Sequence, residues 1–432
     1  MNVGFISLGC SKNLVVTESI IGMFKKHGYN IVSDENDADI IIINTCGFID
    51  SAKEEAINTI LEMADYKENK CKYLIVTGCL VQRYKEELIK ELPEVDLFIS
   101  IREYDKMWEK ISELITNKNE KDLLNFHDRI ITTGTSMAYL KIAEGCSNCC
   151  TYCAIPQIQG KYISREYEDI IKEANELAKK GYTEIVVIAQ DTTKYGIDLY
   201  GKSRLSELLE DLSKIDGIKW IRFLYAYPES IDDKLIDVVK NNDKICKYFD
   251  IPIQHISDSV LKNMHRKSDE NSIKKLIKHI REEIKDVVIR TTLIAGFPGE
   301  TEEDFNKMLN FVKEYKIDKL GCFAYSKEDN TLAAKMKNQI AKKVKEERKN
   351  KIMEIQQNIS KEIMNNKIGN TYEVILENIT EDGKYFIARS YMDVPEEDGV
   401  IFIKYNENYG LNEYVECKII DAYEYDLVGE FI

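Results

Sequence analysis

"GCSNCCTYC", residues 145–153, sets four cysteines close together: Cys146, Cys149, Cys150 and Cys153. Read as two abutting Cys-xx-Cys pairs, it suggests zinc. Read as Cys146-xxx-Cys150-xx-Cys153 with Cys149 to spare, it suggests an iron–sulfur cluster with one iron left open. Structural zinc usually takes two separated pairs, and no Cys-xx-Cys occurs elsewhere in the chain. Wrapping four near-adjacent thiolates around one small ion is strained, whereas a 4Fe–4S cube is larger and takes its thiolates on separate irons. The stretch follows the apolar run "MAYLKIA" (137–143), which places it on a loop after a strand.

Working outward, the run from about 137 to 330 alternates strands with helical patterns. The strand candidates are "MAYLKIA", "EIVVIAQ", "KWIRFLYAY", "KYFDIPI", "VVIRTTLIAGF" and "KLGCFAY". Six such βα units predict an open or partial (β/α)6 barrel, with function at the C-terminal strand ends. Residues 1 to about 130 show the same alternation on "VGFISLG", "DIIIINT" and "YLIVTG", which predicts a parallel sheet covered by helices. The charged stretch "AKKVKEERKNKIMEIQQNISKEIM" reads as a solvated connecting helix with Val344, Ile352, Ile355, Ile359 and Ile363 as its apolar stripe. From about 367, "YEVILENI", "YFIARSYM", "GVIFIKY" and "EYVECKII" alternate between turn signals and predict a small β-barrel. The expected architecture is therefore α/β, in three domains at 1–130, 131–366 and 367–432.

Three more cysteines fit this frame. Cys10, Cys46 and Cys79 each directly follow a strand of the first domain, and each has a glycine neighbour (Gly9, Gly47, Gly78). In an open parallel sheet the C-terminal strand ends share one crevice. Thiols far apart in sequence would meet there, in a shared metal or cluster site. Cys71, Cys246, Cys322 and Cys417 stand alone and read as buried apolar residues.

Composition narrows the class. The 432 residues carry 11 cysteines, and no stretch reads as a leader or a membrane span, so a cytoplasmic protein with reduced thiols is expected. Five basic residues face fifteen acidic ones between Lys367 and Ile432, which concentrates −10 of the net −15 in the last module. Such a module would repel RNA and attract a basic protein.

The Cys146-xxx-Cys150-xx-Cys153 spacing, with Tyr152 before the last cysteine, resembles the signature of the radical S-adenosylmethionine (SAM) superfamily. With the second triad in place, the whole chain resembles the methylthiotransferases. These combine an N-terminal cluster domain, a radical SAM barrel and a C-terminal barrel called TRAM. It looks most like the type that modifies a ribosomal protein. The matching stretches are "SLGCSKNLV", "NTCGFI", "TGCLVQRY", "EGCSNCCTYCAIP", "IAQDTTKYG", "LYAYPE", "DIPIQHISDSVL", "RTTLIAGFPGETEEDF", "YSKEDNT", "ARSYMDVPEEDG" and "YEYDLVGE". Ser11, Val16–Thr17 and Cys149 depart from the usual family residues, and none removes a ligand.

The resemblance implies two 4Fe–4S clusters. One would bind SAM on Cys146, Cys150 and Cys153, with Cys149 a bystander, and one would deliver sulfur on Cys10, Cys46 and Cys79. Further SAM contacts are expected from Gln190 and Asp191 after the second barrel strand, from Gln254 after the fourth, and from Gly296, Gly299 and Glu300 after the fifth. His255 beside Gln254 reads as structural. The implied reaction adds a methylthio group to the β-carbon of an aspartate in ribosomal protein S-twelve, free or in the small subunit, with an electron donor as second partner. A tRNA (adenosine) methylthiotransferase and a non-enzymatic zinc-binding ribosome-assembly factor are the alternatives.

Overall fold

The computed structural model describes all residues, 1–432. The N-terminal sheet has five parallel strands in the spatial order Asn30–Val32, Asn2–Ser7, Ile40–Thr45, Tyr73–Gly78, Leu97–Ile99. Its central strand, Ile40–Thr45, is buried along its whole length, which explains why four consecutive isoleucines stand where an exposed strand would alternate. The flanking helix Asp50–Asp65 buries Ala56, Ile60 and Met63 and leaves its other face in solvent. The two edge strands, three residues each, were not anticipated because so short a run shows no alternation.

The second unit has six parallel strands in chain order: Met137–Lys141, Glu184–Ile188, Trp220–Phe223, Tyr248–Asp250, Val288–Ala295 and Lys319–Ala324. A parallel bridge from Ile221 to Ile245 joins its two halves. All six expected strands are present. Helices pack on the outside, where Ile170, Leu177, Leu209, Ile236, Ile277 and Phe305 bury against the backs of the strands.

The last unit is a closed five-stranded barrel of Thr371–Ile379, Tyr385–Ser390, Ile401–Lys404, Leu427–Phe431 and Tyr414–Ala422. Its fifth strand, Leu427–Phe431, was not among the four read from alternation. Closure removes the exposed edges of the sheet. Its segment 389–398 reaches the inner face of the six-stranded unit. Arg389 and Arg222 converge on the wholly buried Glu184, Arg222 Nη1 donates to Tyr391 O at 2.7 Å, and Lys319 meets Asp393 at 2.8 Å. Arg290 meets Glu397 at 2.6 Å and the Tyr248 hydroxyl donates to Asp398 at 2.7 Å.

The connecting helix Lys342–Asn365 is less simple than the sequence suggested. Ile352 and Ile359 are buried as expected, but so are Lys345, Arg348, Gln356 and Ser360, while Val344, Ile355 and Ile363 are half-exposed. The buried cations are used: Arg348 Nη1 donates to Glu300 at 2.6 Å, and Lys345 Nζ donates to Tyr325 O at 3.1 Å.

The first unit is tied to the second by a buried chain of charges. Arg129 donates to Glu18 at 2.5 Å and to Glu173 at 2.8 Å, and Arg165 donates to Glu173 at 2.5 Å. At the opposite side Glu328, also buried, accepts from Lys53 at 3.1 Å and from Arg83 at 2.9 Å.

Glu184 supplies a stability test. Burial opposes its charge, but Arg389 and Arg222 outweigh that and hold its pKa below the ordinary glutamate value. Its contribution is therefore present above about pH 4.5 and is lost as pH falls below it. Glu184→Gln strands two buried guanidinium groups and should cost about 3–5 kcal/mol in denaturant unfolding at pH 7. The difference between variant and parent should narrow as the pH is lowered.

Candidate active site between two cysteine triads

The N-terminal triad is built by the topology. The strand order reverses between Asn2–Ser7 and Ile40–Thr45, and open α/β sheets bind ligands at such a switch point. Cys10 and Cys46 follow those two strands, and Cys79 follows the next. Cys10 caps the helix Ser11–Lys26 and Cys79 opens the helix Cys79–Glu91. A helix N-terminus favours the thiolate form of a cysteine. Burial works the other way, raising Cys79 and Cys46 above the ordinary thiol value, with the neighbouring cysteines adding to the rise.

The three loops are stapled together by residues that sequence reasoning passed over. The Asn13 amide donates to Leu8 O at 2.9 Å and to Thr45 O at 3.0 Å, which ties the first two cysteine loops. The Asn44 amide donates back to Asn13 O at 2.9 Å, and the Thr45 hydroxyl donates to Thr77 O at 2.6 Å. The glycines serve this closeness more than a cofactor. A Cβ on Gly9 would lie 2.7 Å from Cys46 Cβ, and one on Gly47 would lie 2.7 Å from the Leu80 backbone. Gly9 also has a φ of +90°, which a side chain disfavours.

In the second triad the loop geometry separates the two readings of "GCSNCCTYC". Cys146 and Cys150 are buried and Cys153 is half-buried, whereas Cys149 is exposed, with a φ of +55°. The left-handed turn at Cys149 sends its thiol outward, 3.6 Å from Ser147 O. The set of three matches the iron–sulfur spacing and withholds the fourth ligand that closed zinc needs. Burial raises Cys153 and Cys146 as well, so metal binding by these thiols would have to displace protons.

The loop is fixed from several sides. Cys146 N–H donates to Gly160 O at 3.1 Å, Thr151 N–H to Met264 O at 3.1 Å, and Ala333 N–H to Thr151 O at 2.9 Å. Gly145 cannot be larger, since a Cβ there would lie 2.1 Å from Lys161 O. The Tyr227 hydroxyl sits 3.8 Å from Cys150 Sγ.

The two triads face one crevice. Ala154 and Ile158, just past Cys153, pack directly against Cys79. The Gln190 amide donates to Gln159 at 2.9 Å, and Gln159 reaches Cys79. Lys12, next to Cys10 in sequence, is 7% exposed and places Nζ 3.4 Å above the Tyr225 ring at the barrel mouth. Burial works against its charge, yet Tyr225, Cys10 and Asp250 together hold its pKa above the ordinary lysine value. Beside the triads lies a cavity of about 510 Å³, bounded by Phe48–Ser51 of the first unit and by Tyr152, Gln254, Thr292 and Tyr325 of the second.

The other expected contacts divide. Gln254 lines the cavity from a strained backbone with φ +71°. Asp191 accepts from Asn148, in the cysteine loop, at 2.7 Å and from Thr193 N–H at 3.1 Å; burial raises its pKa. Glu300 is turned to structure: it accepts from Arg348 and, at 2.8 Å, from Gly296 N–H, which closes the 296–300 turn. A Cβ on Gly296 would collide with Lys345, while Gly299 has open space around it. His255 is wholly buried, its Nδ1 accepting from Ser257 N–H at 2.9 Å and its Nε2 lying 3.4 Å from Glu300.

Comparison with known proteins agrees with this architecture. Residues 2–100 match Uncharacterized protein family UPF0004, residues 140–312 match the radical SAM superfamily, and residues 368–432 match the TRAM domain. The ribosomal protein uS12 methylthiotransferase RimO of Alkaliphilus oremlandii is 64% identical over 432 residues, covering 100% of this chain and 99% of its own. Its counterpart in Clostridioides difficile is 51% identical, covering 100% and 99%. The chain belongs to the RimO family. Among solved structures, the radical SAM methyltransferase TsrM of Kitasatospora setae superposes with a TM-score of 0.55 at 10% identity, over 75% of this chain and 72% of that one. The cobalamin-dependent SAM radical enzyme OxsB superposes with a TM-score of 0.52 at 12% identity, over 82% and 56%. These two likenesses concern the fold. Radical SAM membership of a RimO chain implies a 4Fe–4S cluster and SAM. No helix is long and apolar enough to cross a membrane.

The loop geometry yields a direct test. Cys149→Ser should retain the full iron and sulfide content after anaerobic reconstitution, whereas Cys150→Ser should lose one cluster's complement.

Proposed function

We propose that the chain adds a methylthio group to the β-carbon of an aspartate in ribosomal protein uS12, in the cytoplasm. The supporting observation is the meeting of two cysteine triads at one crevice, in a chain of the RimO family. Breaking an unactivated C–H bond is beyond side chains alone, so a cofactor must supply the radical. Bound to Cys146, Cys150 and Cys153, a 4Fe–4S cluster would supply the electron that cleaves SAM to a 5′-deoxyadenosyl radical. A second cluster on Cys10, Cys46 and Cys79 would supply the sulfur.

The chain's own residues provide position and charge. The Asn13 staple holds the first triad's loops, and Ala154 and Ile158 seat Cys79 against the barrel mouth. Lys12 brings a buried positive charge to the side of Cys10, where a thiolate or anionic sulfur would be stabilised. Asn148 and Asp191 fix the cysteine loop against the end of the second strand. Gln254 and the open turn at Gly299 support the reading of the barrel mouth as the SAM site.

The acidic module supports a protein substrate. Some of its acids are consumed internally, since Glu377, Asp393 and Glu397 pair with Arg389, Lys319 and Arg290. Its outer face still exposes Glu381, Glu407, Glu413, Glu416 and Asp421, which suits a basic ribosomal protein and repels RNA phosphate.

The test is anaerobic turnover of the loaded chain with SAM and a reductant, offering unmodified uS12 and unmodified tRNA side by side. A methylthio mass gain on an aspartate of uS12 is expected, abolished by Cys146→Ala and by Cys10→Ala. A gain confined to tRNA would overturn the substrate assignment.

A further inference from the structure

Arg266 is the most deeply buried charge at this site without a full set of partners. Its side chain is 1% exposed, yet Nε and Nη1 donate to nothing. Nη2 donates to Pro252 O at 3.0 Å, and the nearest carboxylate, Glu229, is 3.8 Å away and already accepts from Ser268 at 2.9 Å. Buried guanidinium donors are costly to leave unmade and are rarely left so without a reason.

What surrounds Arg266 identifies the missing partner. The guanidinium lies 4.3 Å over the ring of Tyr227, whose hydroxyl is 3.8 Å from Cys150 Sγ. Tyr152, inside the cysteine loop, is near enough to interact electrostatically with it. The chain just before Arg266 is sewn to that loop, since Asn263 O accepts from the Thr151 hydroxyl at 2.8 Å and Met264 O from Thr151 N–H at 3.1 Å. Arg266 and Cys150 are therefore held in fixed relation. Of the other cations near the loop, Lys194 is already bonded to Asn148 and lies close to Asp191, and the buried Lys141 is paired with Glu144. Arg266 is the buried cation beside the loop that keeps two unpartnered donors and only a distant carboxylate.

We infer that Arg266, with Tyr227 between it and Cys150, is a positioning residue that sets the reduction potential of a cluster held by Cys146, Cys150 and Cys153. This rests on the cluster assignment proposed above. Such a cluster carries net negative charge through its sulfides and thiolates, and one-electron reduction makes it more negative. A fixed cation beyond the ligands stabilises the reduced form and raises the potential, as do hydrogen bonds toward the sulfurs. Arg266 and Tyr227 supply both, from a buried site where charge is weakly screened.

The experiment uses the full-length chain with Cys10, Cys46 and Cys79 changed to alanine, so that one cluster site remains. Iron and sulfide are measured after anaerobic loading, and the midpoint potential is found by redox titration followed by electron paramagnetic resonance, with and without SAM. Arg266→Gln should shift the SAM-free midpoint to more negative potential, and Arg266→Lys should fall between Gln and parent. Should the Gln variant fail to load, Arg266→Lys and Tyr227→Phe carry the test, each with a smaller negative shift. An unmoved midpoint would overturn the inference. So would a shift seen only with SAM, which would assign the guanidinium to the SAM carboxylate. A parent that binds no cluster would instead refute the ligand assignment itself.

Discussion

In a parallel sheet every strand leaves at the same edge, and the whole molecule follows from that constraint. Two parallel systems, one open and one curved, turn their C-terminal edges toward a common crevice. Six cysteines spread over 144 positions, from Cys10 to Cys153, come to that crevice, three directly after strands and three on one loop, without any local sequence motif joining the triads. Cys10 stays exposed, while burial resists the ionisation of Cys79 and Cys153. A cofactor carrying positive iron is the natural counterpart of such a donor set.

Holding the two edges together takes buried charge rather than apolar surface alone. Arg129 bridges Glu18 of the first unit and Glu173 of the second, and Glu328 accepts from Lys53 and Arg83 across the same boundary. The last unit docks by the same means, with segment 389–398 reaching the inner face of the partial barrel and Arg389 meeting Glu184 there. Buried pairs of this type contribute modest net stability, but they are directional and costly to break singly. They fix the orientation of the two units on either side of the crevice. The cavity of about 510 Å³ between Phe48 and Gln254 is a product of that orientation.

Much of this was legible in the sequence. The six barrel strands were visible because buried parallel strands leave unbroken apolar runs, the first triad because each of its cysteines directly follows such a run, and the second by its own spacing. The edge strands and the fifth strand of the last barrel were not, being short and without clear periodicity. What stayed hidden was pairing at a distance. Asn13, Lys12 and Arg266 carry no local signal, since their roles are defined by partners at Thr45, Tyr225 and Tyr227. Glu300 shows the same: its bond to Arg348 could not be read from the sequence around it. The glycines beside the cysteines were conspicuous, but their function is to let the loops touch one another.

The central claim is that each triad holds its own 4Fe–4S cluster. Mössbauer spectroscopy of the full-length chain, loaded with isotopically enriched iron, tests it most directly. The account predicts two clusters per chain in the parent, with Cys79→Ala and Cys153→Ala each removing a different one and leaving the other's spectrum intact. A single cluster that vanishes in both variants, or zinc in place of iron at either triad, would contradict it.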